Sequence, residues 1–153
     1  MHDSHIKVPQ QLDALAFLAT VGLFRDLSIP EREQLLSLAT IEHFEAGSMI
    51  LLEGEATNDL LVVGAGQVEV YVMRGGEKIV VTGLGPAAYF GEMSVFDDYP
   101  RSAYVRATTD VMVYRFDRDS FRAFLRAHPE TLYQMCTVFS HRLRNTNSAL
   151  AKH

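Results

Sequence analysis

With a single cysteine, Cys136, the chain has no means of forming an internal disulfide or a metal site built from several thiolates. An iron–sulfur centre is not expected for the same reason. Set at helical spacing among Leu132, Met135 and Phe139, Cys136 is expected to pack as a small hydrophobe. Long apolar runs are missing too: none approaches the roughly 20 residues that span a bilayer. The start, Met1-His2-Asp3-Ser4-His5, lacks a basic region followed by an apolar core. The expectation is a cytoplasmic protein with no membrane contact. Positive charge is in short supply, since 14 Lys and Arg face 19 Asp and Glu for a net charge of −5. That balance argues against broad binding to nucleic acid or anionic membranes and leaves room only for a local basic site.

Catalytic constellations are absent as well. The six histidines are His2, His5, His43, His128, His141 and His153, and no two of them form the alternate-residue pair on a strand that a cupin-type metal enzyme requires. His128 before Pro129 reads as a helix-start residue and His43 as a loop or edge position. Asp97-Asp98 and Asp117-Arg118-Asp119 read as turns and helix caps rather than as a metal or acid–base pair. No serine or cysteine has the histidine context of a nucleophile. The chain is therefore expected to be neither an enzyme nor a metal protein.

What is present fits one compact module. A length of 153 residues with 48% hydrophobic and 22% charged content is ordinary for a single domain spanning residues 1–153. Helical patterning runs from about Gln10 to Leu38, breaks near Gly22 and restarts at Ser28-Ile29-Pro30-Glu31, where Ser28 and Glu31 suit a capping box. From Gly47 the pattern turns to strands: Ser48 to Leu52, Leu60 to Val63, the alternating Val68-Glu69-Val70-Tyr71-Val72, Ala103 to Ala107 and Val111 to Phe116. Period two places the valines of the third run on one inner face. Gly64 and Gly66, Gly75-Gly76, and Gly83 with Gly85-Pro86 punctuate these runs as turns. Many short strands between helical ends predict an α+β chain built on a β roll. The divisions are N-terminal helices over about 1–43, the roll over 44–117 and C-terminal helices over 118–153.

The last helical segment, Thr131 to about Ala149, repeats Leu132, Cys136, Phe139, Leu143, Thr146 and Leu150 at alternating spacings of four and three. That is the pattern of a short coiled-coil seam, which predicts parallel pairing of two subunits. The same stripe also suits a helix that covers its own barrel, so both arrangements stand at this point.

Between two strand-like runs lies Phe90-Gly-Glu-Met-Ser-Val-Phe-Asp-Asp-Tyr-Pro-Arg-Ser-Ala103. Gly91 lets backbone approach a ligand closely, and the Glu92-Met93-Ser94-Val95 run forms one helical turn whose N–H groups suit an anion. Arg101 supplies a guanidinium whose geometry matches phosphate. Glu92, ionised, only accepts hydrogen bonds and so suits a hydroxyl. Ser102 adds a small donor beside Arg101. Singly, each residue also has an ordinary structural explanation; glycine, acid and arginine in this order and spacing point to a sugar-phosphate.

This segment closely resembles the phosphate-binding cassette of cyclic-nucleotide-binding domains, found in catabolite activator proteins, kinase regulatory subunits and gated channels. The likeness extends through Leu23-Phe24-Arg25-Asp26-Leu27-Ser28, Phe44-Glu45-Ala46-Gly47, Glu53-Gly54-Glu55 and His128-Pro129-Glu130. It implies a double-stranded jelly-roll barrel with N-terminal helices, a short cassette helix and a long C-terminal helix. It assigns Gly91, Arg101 and Ser102 to the cyclic phosphate, Glu92 to the ribose hydroxyl, and Met93 and Ala103 to the pocket lining, with Ser94 counted among the ligand-binding residues of the same loop. Ser140-His141-Arg142-Leu143-Arg144-Asn145-Thr146-Asn147 is similar to the segment that meets the base in the catabolite activator branch. Arg142 and Thr146 become base contacts there, and Asn147 a contact from a partner subunit. Threonine at the Ser102 position goes with cyclic GMP in the family, so serine favours cyclic AMP as ligand, with cyclic GMP as the alternative. The implied function is a regulatory sensor that signals by repositioning its C-terminal helix. The alternative is a degenerate module that only dimerises or binds a partner, but the loss of Arg101 or Glu92 that would mark it has not occurred. A homodimer or a regulated effector is the implied partner, and with no helix-turn-helix after the long helix, direct DNA reading is not expected.

Overall fold

The computed structural model describes residue 6 and residues 9–151, and of residues 146–151 only the backbone. The N-terminal region folds as α1 (Gln11–Leu18), a 3₁₀ turn (Gly22–Phe24) and α2 (Ile29–Ser37). The α2 start is the anticipated capping box: the Glu31 amide donates to Ser28 Oγ, and the Ser28 amide donates to the Glu31 carboxylate. Ser28 thereby holds the Glu31 carboxyl below the ordinary carboxylate range.

Eight strands follow: β1 (Ala39–Phe44), β2 (Met49–Leu51), β3 (Leu60–Ala65), β4 (Val68–Arg74), β5 (Glu77–Leu84), β6 (Tyr89–Phe90), β7 (Tyr104–Ala107) and β8 (Val111–Phe116). They form two antiparallel sheets, in the orders β1-β8-β3-β6 and β2-β7-β4-β5. Consecutive strands repeatedly join opposite sheets, as a two-sheet roll requires. The chain closes with α3 (Arg118–Ala127) and α4 (Pro129–Ala151). Asp117 caps α3 by accepting from the Ser120 amide, and the His128 carbonyl accepts from Thr131 to open α4. No helix among the described residues is long and apolar enough to cross a membrane.

The hydrophobic pattern explains the layering. Leu61, Val63, Val111 and Val113 face Ile50, Leu51, Val68 and Val105 across the roll, forming the inter-sheet core. The neighbouring residues Leu60, Val62, Met112, Tyr114 and Phe116 point the other way, onto Leu18, Phe24, Leu35, Phe121, Phe124 and Met135 of the helices. The central strands of the first sheet, β3 and β8, are thus buried on both faces, and β3 therefore reads as a continuous apolar run rather than an alternating one. The second sheet is covered on one face only. Val68 and Val70 pack into the inter-sheet core there, as their period predicted, whereas Val72 of the same run is not part of that cluster.

Three features depart from the sequence reading. The roll begins at Ala39, not at 44, because β1 pairs with β8 from Ala39↔Phe116 to Phe44↔Val111. That partner lies far along the chain, and local propensity carries no trace of it. His43 is accordingly an edge-strand residue. The hairpin at Gly75-Gly76 returns along β5, whose residues 77–83 are exposed and so lack any burial period. Cys136, finally, is exposed rather than packed. The face of α4 turned inward carries Thr131 and Met135, with Leu132, Val138 and Phe139 partly covered, while Leu143 is 62% exposed. The predicted stripe is split between the chain's own core and solvent. Cys136→Ser should therefore shift stability by less than about 0.5 kcal/mol in urea denaturation, and the native thiol should react readily with a thiol reagent. A loss above about 1 kcal/mol would return Cys136 to the core.

Candidate functional site

The segment from Phe90 to Ala103 leaves β6, makes a tight turn and returns into β7. Gly91 sits at φ +79°, the left-handed region, and opens a 3₁₀ turn over Glu92–Val95 that no side chain caps. A Cβ at Gly91 would lie 2.6 Å from Arg101 Nη1 and 2.8 Å from the Asp59 carbonyl oxygen. Glycine is thus required both by the backbone angle and by the guanidinium against it. The turn is braced from outside: Arg122 Nε of α3 donates to the Val95 carbonyl at 2.5 Å, Arg118 pairs with Asp98 at 2.9 Å, and Phe96 meets Phe139 of α4 edge to face at 5.8 Å. Asp97 accepts from the Tyr99 amide, the turn role expected of that acid.

Arg101 is 4% exposed although it is charged. Its Nε donates to Thr57 Oγ1 at 2.9 Å, Nη2 to the Asp59 carbonyl at 2.9 Å and Nη1 to the Gly91 carbonyl at 3.4 Å. The backbone is tied to the same loop, with the Arg101 amide donating to Glu55 and the Gly54 amide to Arg101. Burial draws the guanidinium below its ordinary pKa, and the charges of Asp59 and Glu55 oppose that shift, so it stays protonated. The side-chain hydrogen bonds of this buried cation go to neutral carbonyl and hydroxyl oxygens, an arrangement whose charge suits an anion.

Arg101 and Gly91 face a cavity of about 440 Å³, within the usual range for small-molecule sites. Its walls include Gly91, Glu92, Met93, Ser94, Arg101, Ser102 and Ala103, all seven cassette residues anticipated from sequence. Leu51, Val70, Val81, Thr82, Leu84 and Val105 of the second sheet supply an apolar floor. From α4 comes Arg142, which forms an ion pair with the Glu92 carboxylate and lies over the Tyr89 ring at 5.4 Å. Burial raises the Tyr89 phenol above its ordinary pKa, partly offset by Arg142, so the ring is neutral. The cavity therefore has a cationic end at Arg101, a carboxylate at Glu92 and an aromatic–guanidinium shelf near α4. Thr146 and Asn147, also anticipated as contacts, have side chains outside the described residues.

Sequence reasoning missed Tyr89, Val81, Thr82 and Leu84. The last three lie on β5, whose exposed pattern hid the strand, and Tyr89 lies on the two-residue strand β6. The one available signal was the Val-Val-Thr β-branched run after the Gly75-Gly76 turn.

Residues 41–128 match the family model described as cyclic nucleotide-binding domain. The chain is 31% identical over 135 residues to a CRP-like cAMP-activated global transcriptional regulator of Mycobacterium tuberculosis, covering 88% of this chain and 60% of the regulator. It is 36% identical over 109 residues to the cAMP-dependent protein kinase regulatory subunit of Yarrowia lipolytica, covering 71% of this chain and 28% of the subunit. Among solved structures, the catabolite activator protein of Thermus thermophilus superposes with a TM-score of 0.81 at 28% identity, covering 85% of this chain and 62% of that one. In each case the chain spans less than two thirds of the relative's length.

Proposed function

The chain belongs to the cyclic nucleotide-binding domain family, and from that premise we propose that it is a regulatory sensor that binds cyclic AMP at the Arg101–Glu92 cavity and signals through α4. The observation that carries this reading is the cavity itself, which joins a buried arginine, a glycine-opened turn, a carboxylate and a residue of the terminal helix. A cyclic phosphate is a monoanion, and Arg101 with Ser102 and the Gly91 turn offers it charge-assisted donors. Glu92 accepts from the ribose 2′-hydroxyl. The apolar floor and the Arg142–Tyr89 shelf receive the base. The mycobacterial and Yarrowia relatives, described by their names as cAMP-activated and cAMP-dependent, support cyclic AMP over cyclic GMP, as does serine at 102. Both are regulators, which supports a regulatory rather than an enzymatic role.

The signal arises from competition at Glu92. Its carboxylate is engaged by Arg142, and a ribose hydroxyl donating to the same oxygens changes what Arg142 and α4 hold on to. A ligand shifts a conformational equilibrium only by its differential affinity for the two states, and this shared carboxylate gives it one. The repositioned α4 then acts on a second subunit or an effector.

A thermal-shift titration with cyclic AMP, cyclic GMP and linear AMP tests the reading. Cyclic AMP at a hundred times its Kd should add about 2.7 kcal/mol, a rise of roughly 5–10 °C for a domain of this size. No rise with either cyclic nucleotide would overturn it in favour of a module that only binds protein. In the same titration, Arg142→Ala should retain binding while narrowing the gap between cyclic AMP and cyclic GMP.

A further inference from the structure

The family likeness and the sequence both place the phosphate site within the cassette, yet the group that sets the orientation of Arg101 lies more than forty residues earlier. We propose that Thr57, on the loop between β2 and β3, is a positioning residue that aims the Arg101 guanidinium at one exocyclic oxygen of the bound cyclic phosphate. The proposal deepens the reading given above and rests on it.

A guanidinium is planar, and fixing Nε together with one Nη fixes the direction of the remaining N–H bonds. Thr57 Oγ1 accepts from Nε at 2.9 Å, on the edge away from the Gly91 turn, and the Asp59 carbonyl accepts from Nη2 at 2.9 Å. The Thr57 hydroxyl has one proton, and it donates that proton to Glu55 Oε1 at 3.1 Å. Its lone pairs are thereby turned toward Arg101, so the hydroxyl acts as an oriented acceptor rather than a free rotor. The Asp59 carboxylate is occupied elsewhere, by Arg115 Nη1 at 2.7 Å, and Arg115 is held in turn by Glu42 on β1. Asp59 therefore meets Arg101 through its carbonyl, and the carboxylate that answers the Nε edge is Glu55, relayed through Thr57. Together with the Gly91 carbonyl on Nη1, these contacts hold the guanidinium in one plane at the wall of the cavity. A buried arginine held on both sides before an anion arrives spends less of its interaction on ordering, which is the physical basis of preorganised affinity.

The test compares Thr57→Val, which keeps the shape and removes the hydroxyl, with Thr57→Ser, which keeps the hydroxyl. Calorimetric titration uses cyclic AMP and the two phosphorothioate diastereomers of cyclic AMP, in which sulfur replaces one or the other exocyclic oxygen. Thr57→Val should bind cyclic AMP about tenfold more weakly, and Thr57→Ser should stay within about threefold of the parent. The ratio of affinities for the two diastereomers should fall toward unity in Thr57→Val and persist in Thr57→Ser, a change that a merely loosened loop does not cause. In an Arg101→Ala background, Thr57→Val should bring no further loss. A readout free of ligand is the Arg101 Nε–H resonance, which should exchange slowly in the parent and rapidly in Thr57→Val. Parent-like affinity and an unchanged diastereomer ratio in Thr57→Val would overturn the Thr57 role alone, as would an equal loss in the Arg101→Ala background. Failure of the parent to bind any of the three nucleotides would overturn the reading of the cavity, and the Thr57 role with it.

Discussion

Arg101→Ala is expected to weaken cyclic AMP binding by about 2–5 kcal/mol, roughly thirtyfold to several-thousandfold in Kd. The magnitude follows from burial. At 4% exposure Arg101 lies where water screens little, so a phosphate against it exchanges hydration for charge-assisted bonds, and without the guanidinium that anion is left buried and unpaired. Removing Arg101 also leaves the Asp59 carbonyl and Thr57 hydroxyl without their donor, so unfolding must be measured beside binding to keep the two losses apart. Arg101→Lys should fall between parent and alanine, because the ammonium keeps the charge and loses the planar fork. Calorimetry decides the matter: a Kd for Arg101→Ala within threefold of the parent would remove Arg101 from the phosphate site.

The second large effect is expected at Gly91. Alanine there must adopt φ near +79° and place its Cβ 2.6 Å from Arg101 Nη1 and 2.8 Å from the Asp59 carbonyl oxygen. Left-handed backbone alone costs a non-glycine residue about 1–3 kcal/mol. The clash comes on top, and one of the two opposing atoms is backbone and cannot swing aside. Gly47→Ala is the natural control, since Gly47 has φ +90° but nothing within 4 Å of a new Cβ; it bears the backbone cost without the contact. Gly91→Ala should therefore be less stable than Gly47→Ala in chemical denaturation. It should also lose cyclic AMP affinity that Gly47→Ala keeps, because the displaced atom is the guanidinium nitrogen itself. Equal stability and intact binding in the two variants would mean that the Gly91 turn yields and does not constrain Arg101.

These two positions also mark how far the site was legible in sequence. Gly91, Glu92, Arg101 and Ser102 are local, lying within one loop between two strands, and their chemistry is of a kind that needs glycine, acid and guanidinium. Order and spacing were enough to bring them together on paper. The elements that support them were not legible in the same way. Thr57 and Asp59 are ordinary loop residues until the fold brings them beneath Arg101. Tyr89 and Thr82 become cavity walls only because β6 and β5 pair where they do.

The same contrast runs through the fold. Sequence alone determined the order of helical ends and central strands, the α2 capping box, the cap at Asp117, and the cassette, because each is written in hydrophobic period or in side chains a few residues apart. Only the tertiary structure decided that β1 belongs to the roll, that α4 turns Met135 inward and Cys136 outward, that Arg142 meets Glu92, and that Arg101 is gripped from the 54–59 loop. Those outcomes depend on which distant surfaces pack together, and a helical stripe or a polar loop residue is compatible with several partners until burial selects one.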